Sequence, residues 1–89
     1  MPNVMLLISK MQRESTHMYV KCALSQKDGI ESARVREQIF SHPSELEDAL
    51  KAAGVSDEDA RAPHHVVNNG LPTFIPVSML VARRLGVLV

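Results

Sequence analysis

The sequence predicts an α+β fold: a small antiparallel sheet covered on one face by three to four helices, in the order β-β-α-α-α-(β-β)-α. Three observations carry this expectation. "HMYVKCALS" (17–25) alternates its side chains with period two, as a half-buried strand does. "SELEDALKAAG" (44–54) repeats apolar residues at helical spacing between a capping serine and a stop glycine. "HHVVNNGLPTFIP" (64–76) gathers turn-forming residues between short apolar stretches. Strands toward both ends of a helical middle imply one sheet layer and one helix layer.

Taken in order, residues 4–8 are continuously apolar, which suits a buried strand or a buried helical turn. The clearer strand that follows favours a strand. The polar stretch "KMQREST" (10–16) reads as a long hairpin loop with frayed strand ends. In 17–25, Met18, Val20, Cys22 and Leu24 share the inward phase, and Tyr19, Lys21 and Ala23 the outward one. A helix is expected over 28–41, opened by Asp28 as acceptor for unpaired backbone donors. Its apolar residues divide into two sets, Ile30, Ala33 and Phe40 against Val35 and Ile39, so it should touch two neighbours.

The next helix, 44–53, has a capping box in Ser44 and Glu47. Leu46, Ala49, Leu50 and Ala53 form its apolar stripe, and Gly54 its left-handed stop. "SDEDARA" (56–62) reads as a short turn capped by Ser56 and ended by Pro63. A hairpin is then expected, with Val66 and Val67 in one arm and 73–75 in the other, around Asn68, Asn69 and Gly70. Pro72 confines the second arm to a sheet edge. Pro76 can open the last helix and Gly86 can close it.

The chain has 89 residues, so residues 1–89 are read as one domain with a thin core. At 45% hydrophobic and 22% charged it matches a globular composition, which excludes disorder. With two Phe, one Tyr and no Trp, aliphatic residues must build that core. Five methionines suit either core filling or an adaptable binding surface, and core filling is the expectation. Ten basic and ten acidic residues cancel, so no long-range field draws nucleic acid or an anionic membrane. Cys22 is the only cysteine, which excludes an internal disulfide framework. The apolar run at 4–8 is too short for a secretory signal, and nothing approaches a membrane span. A reducing cytoplasm is the expected location.

"VARRLGV" (81–87) resembles the first helix and turn of helix-turn-helix regulators. That motif needs a second helix to read bases, and only Val87, Leu88 and Val89 follow. The expectation is a packing helix with Val77, Val81, Leu85 and Leu88 inward, Arg83 exposed and Arg84 at its margin. A strand followed by two helices (17–25, 28–41, 44–53) is also similar to the order of ribbon-helix-helix repressors, in which two chains pair their strands. The outward residues would then be Tyr19, Lys21 and Ala23, of which only Lys21 suits phosphate or base.

Four histidines, His17, His42, His64 and His65, show no metal-ligand spacing. Cys22 lies in the apolar phase of its strand, where a thiol behaves as a small hydrophobe. The acids Glu45, Glu47, Asp48, Asp57, Glu58 and Asp59 lie in early turns of helices, where capping and the helix dipole explain them. The least ordinary stretch, "APHHVVNNGLPTFIP" (62–76), offers His64, His65, Asn68 and Asn69 as candidate ligand- or partner-binding groups. The expectation is therefore a non-catalytic interaction or regulatory module without cofactor or metal, acting on a protein partner or small ligand and able to form a homodimer through an apolar helix face. A ribbon-type DNA-binding regulator is the alternative, and a small enzyme using Cys22 or a histidine comes third.

Overall fold

Two strands open the chain and form the centre of its sheet. The computed structural model describes residues 3–14, 17–25 and 34–89. β1 (Val4–Glu14) and β2 (His17–Leu24) pair antiparallel from Leu6↔Leu24 to Glu14↔His17, with an irregular step between Gln12 and Glu14. Most of the loop expected at 10–16 is therefore strand. No Gly or Pro interrupts residues 10–14, so the ladder continues until the chain reverses.

Residues 34–40 depart from the sequence expectation. Asp28, the expected start of a helix over 28–41, lies outside the described residues. The end of that helix is instead β3 (Gln38–Phe40), which pairs with β2 through Val20↔Phe40 and Cys22↔Gln38. Just before it, Val35 bridges Leu88, and Arg36 N–H donates to the Val87 carbonyl at 2.9 Å. Of the two apolar sets expected on that helix, Ile30 and Ala33 lie outside the described residues, while Phe40 pairs with Val20 and Ile39 with Lys21 along β2.

α1 (Pro43–Ala53) buries Leu46, Leu50 and Ala53, as its stripe predicts. It begins earlier than the capping box implies. Pro43 occupies the first turn, where a missing N–H costs nothing, and His42 is the extended cap residue, with φ −139°. Ser44 is consequently inside the helix. Gly54 ends it at φ 105°, with Gly54 N–H donating to Lys51 O and Val55 N–H to Leu50 O. Those two bonds make the Schellman stop. α2 (Asp57–Ala60) is capped by Ser56, whose Oγ accepts from Asp59 N at 3.3 Å.

The hairpin arm expected at Val66 and Val67 is α3 (Ala62–Asn69). Pro63 opens this helix rather than ending a turn. Ala62, Pro63 and Val66 fall on one buried side, packed toward α1 and β1. That burial outweighs the modest preference of valine for strands. Gly70, at φ 76°, stops the helix by donating to Val66 O at 2.8 Å. The other arm is β4 (Thr73–Val77), paired with β1 from Val4↔Val77 to Ile8↔Thr73. Pro76 lies within β4. α4 (Met79–Leu85) opens instead at Ser78, whose Oγ accepts from Val81 N at 3.1 Å.

The fold is α+β: an antiparallel sheet in the order β3-β2-β1-β4, with helices over one face. Among the described residues three helices, α1 to α3, stand between the opening strands and β4, and α4 follows, so the predicted order holds although 38–40 is strand and 66–67 helix where the sequence predicts the reverse. The covered face presents Leu6, Ile8, Val20, Cys22, Leu24, Ile75 and Val77. Leu6 sits between Leu24 and Ile75, so the middle of the core is aliphatic on three adjacent strands. Leu46, Leu50, Val66, Ala82 and Leu85 close it from the helices, joined by Val87 and Leu88. Among the described residues no polar or charged side chain is buried.

Candidate interaction surface

The four candidate residues of the His/Asn/Gly/Pro stretch lie along α3, not in a hairpin. His64 turns toward α1, where its Nε2 meets Glu47 Oε1 at 2.6 Å. The other carboxylate oxygen of Glu47 pairs with Lys51 Nζ at 3.0 Å. Hydrogen bonds from Lys51 and His64 hold the Glu47 carboxyl below the usual carboxylate range, and Glu47 in turn raises Lys51. The cluster ties α1 to α3. His65, Asn68 and Asn69 are exposed. Side chains four apart share a helix face, so His64 and Asn68 form one row and His65 and Asn69 another.

Other chemically notable residues are dispersed. Cys22 is fully buried on β2, and burial pushes its thiol up to about 12. A thiol so placed carries almost no thiolate at neutral pH, so it is a poor nucleophile. His17, in the β1–β2 arm, stacks on Tyr19 with ring centroids 5.8 Å apart. His42 is exposed at the start of α1. Among the described residues no three His, Cys, Asp or Glu side chains are grouped to hold a metal ion. At the end of the chain, Val87 and Leu88 are buried, Arg84 Nη1 donates to the Ala53 carbonyl at 3.4 Å and Arg83 is exposed. Ala82, not Val81, is the fully buried residue of that turn. Among the described residues no helix is long and apolar enough to cross a membrane.

The feature that sequence reasoning missed is the second face of the sheet. Side chains alternate between faces, so Met5, Leu7, Met11, Tyr19, Lys21, Ala23, Ile39, Phe74 and Pro76 all belong to the face away from the helices. The register sets Leu7 between Ala23 and Phe74, Met5 beside Pro76, and Lys21 beside Ile39. Met5 is 41% exposed, Ile39 42% and Phe74 52%. Lys21 Nζ pairs with Glu37 Oε2 at 3.1 Å toward the β3 edge of this face. An open groove of about 460 Å³ runs there, lined by Leu7, Ala23, Val35 and Phe74 with Lys21, Arg36 and Glu37 at its polar side.

A signal for this face was present. A strand with one wet face alternates, whereas one apolar on both faces runs continuously. "VMLLI" (4–8) is continuous, and so is most of "FIPV" (74–77). Of the described methionines, Met5 and Met11 belong to this face, Met18 shares the opposite phase of β2, and Met79 packs half-buried against the core, so the expected core filling holds for Met79 alone. The apolar stripe of α1, in contrast, is used up inside the core.

No protein-family model matches the chain, and neither a curated protein nor a solved structure matches it significantly.

Proposed function

We propose that this protein is a non-catalytic binding module of a reducing, cytoplasmic compartment, and that it engages a protein partner with the outer face of its sheet. One observation carries the reading: residues 4–8 of β1 and 74–77 of β4 are apolar on both faces, yet among the described residues only one face is covered by helices. Leaving Met5, Ile39 and Phe74 in water lowers solubility and adds nothing to the core, so a partner is the economical explanation. The exposed Met5 and the half-buried Met11 on this face suit a surface that adapts to what it binds. The single, deeply buried cysteine suits a reducing compartment.

The DNA-binding alternative has less support. A ribbon between two chains needs a free strand edge, and β2 is hydrogen-bonded on one side to β1 and on the other to β3. The outward residues of β2 include one lysine, already paired with Glu37.

The test is Phe74→Glu, assayed in dilute protein by thermal melting and by fluorescence of an apolar dye. A binding face that folding does not need predicts a stability change within about 0.5 kcal/mol. Dye fluorescence seen with the wild type is lost in the variant. A variant destabilised by more than about 2 kcal/mol would mean that Phe74 is core, since losses of that size come from buried sites. Undiminished dye binding would place the apolar surface elsewhere.

A further inference from the structure

We infer that the partner of the outer sheet face is a second copy of this chain, packed face to face about a two-fold axis. This rests on the reading of that face as a binding surface. A two-fold interface brings one patch against itself, so each feature must meet its own complement on the same surface. Here the complements are adjacent. Phe74 stands half out of the sheet as a knob, and the groove of about 460 Å³ lies directly beside it between Leu7, Ala23 and Val35. A ring from each copy can enter the groove of the other.

The charges are self-complementary too. Lys21 and Glu37 form one cation–anion pair on the face, beside Arg36, which also lines the groove. Turned about a two-fold axis, Lys21 of each copy faces Glu37 of the other. The chain carries ten basic and ten acidic residues, so no net repulsion opposes the approach.

Edge-to-edge pairing is the less suitable route to a dimer. β3 has three residues, and β4 carries Pro76, which lacks the N–H that a neighbouring strand would use. Area favours the face as well. The body of β1, β2 and β4, with strands about 4.8 Å apart and roughly five residues long, together with the shorter β3 and the two-stranded arm, presents a footprint on the order of 500 Å². Side-chain relief brings the accessible area near the roughly 800 Å² per partner of a stable interface.

The experiment is sedimentation equilibrium of the full chain from low micromolar to millimolar concentration. Wild type should pass from one to two chains per particle. Phe74→Glu should remain a single chain throughout, while melting like the wild type when dilute. Lys21→Glu and Glu37→Lys should each self-associate at least tenfold more weakly than wild type. Their one-to-one mixture should associate better than either alone, because each copy then offers the charge the other lacks. The pair within each chain stays broken in that mixture, so rescue reports contacts between copies. Wild type that stays monomeric at millimolar concentration overturns the inference, as does a mixture no stronger than its components. If monomeric wild type still binds the apolar dye through Phe74, the second-copy inference fails while the binding face stands. Loss of both signals removes both.

Discussion

Cys22 marks what one position reveals about this core. It lies opposite Ile8 on β1 and Gln38 on β3, with no exposed surface. Loss of water around the sulfur raises its titration to about 12, because the thiolate is the form that burial penalises. A thiol reagent should therefore label native protein slowly and denatured protein at once. Rapid labelling of the folded chain would show that the helix layer opens over β2. The alternation of "HMYVKCAL" already placed this residue inward. Met18 shares its phase but is 40% exposed, because the arm runs past the helices that cover the sheet among the described residues. Gly86 shows the opposite dependence. Its stop role was legible, since φ 80° favours glycine. That its carbonyl accepts from Gln38 Nε2 at 3.0 Å was not, because those residues are 48 positions apart.

Among elements, α1 holds the helix layer together. Leu50 has no exposed surface, so Leu50→Ala should leave a cavity and cost about 2–5 kcal/mol, read from denaturant unfolding. A loss near zero would mean that the site collapses without consequence. The Glu47 cluster gives α1 a pH dependence. The folded-state Glu47 carboxyl is held below its usual range, first by Lys51 and then by His64. Its contribution is therefore full above the ordinary carboxylate range and is lost as pH falls through the depressed value. Lys51 is raised, so its share holds below the ordinary lysine range and fades in strong alkali. Melting temperature against pH should show an acid limb that Glu47→Gln flattens. An unchanged limb would assign acid unfolding to other carboxylates. The exposed setting of the cluster keeps the effect small. The elements that differ from expectation, β3 and α3, have sequences whose local preferences are nearly balanced. Residues 38–40 become a strand because β2 offers an unpaired edge, and residues 62–69 become a helix because Val66 gains burial toward β1.

At the scale of the whole molecule, one sheet face covered by helices and one that, among the described residues, carries none define the architecture. The Cα radius of gyration of 12.4 Å is close to the roughly 12 Å of a compact chain this long, while the longest dimension reaches 38 Å. A core gathered on one side of a four-stranded sheet leaves the other side as the place where a partner adds most burial. If that partner is a second copy, folding and association are linked by mass action. The melting temperature of the wild type should then rise with protein concentration and that of Phe74→Glu should not. A concentration-independent wild-type melt would separate folding from assembly.

Local signals determined much of this protein. Period-two alternation, the stripe of α1, the Ser56 cap and the stops at Gly54 and Gly86 each depend on a few neighbouring residues and ordinary backbone physics, so the sequence alone was enough for the α+β class and for most inward-facing positions. Tertiary structure decided the rest. Whether 35–40 and 62–69 were strand or helix turned on partners remote in the chain, where burial and open strand edges outweigh tenths of a kilocalorie of propensity. The candidate surface was distributed in the same way. Met5, Ala23, Ile39 and Phe74 come from four separate strands, and only the sheet order β3-β2-β1-β4 makes them neighbours.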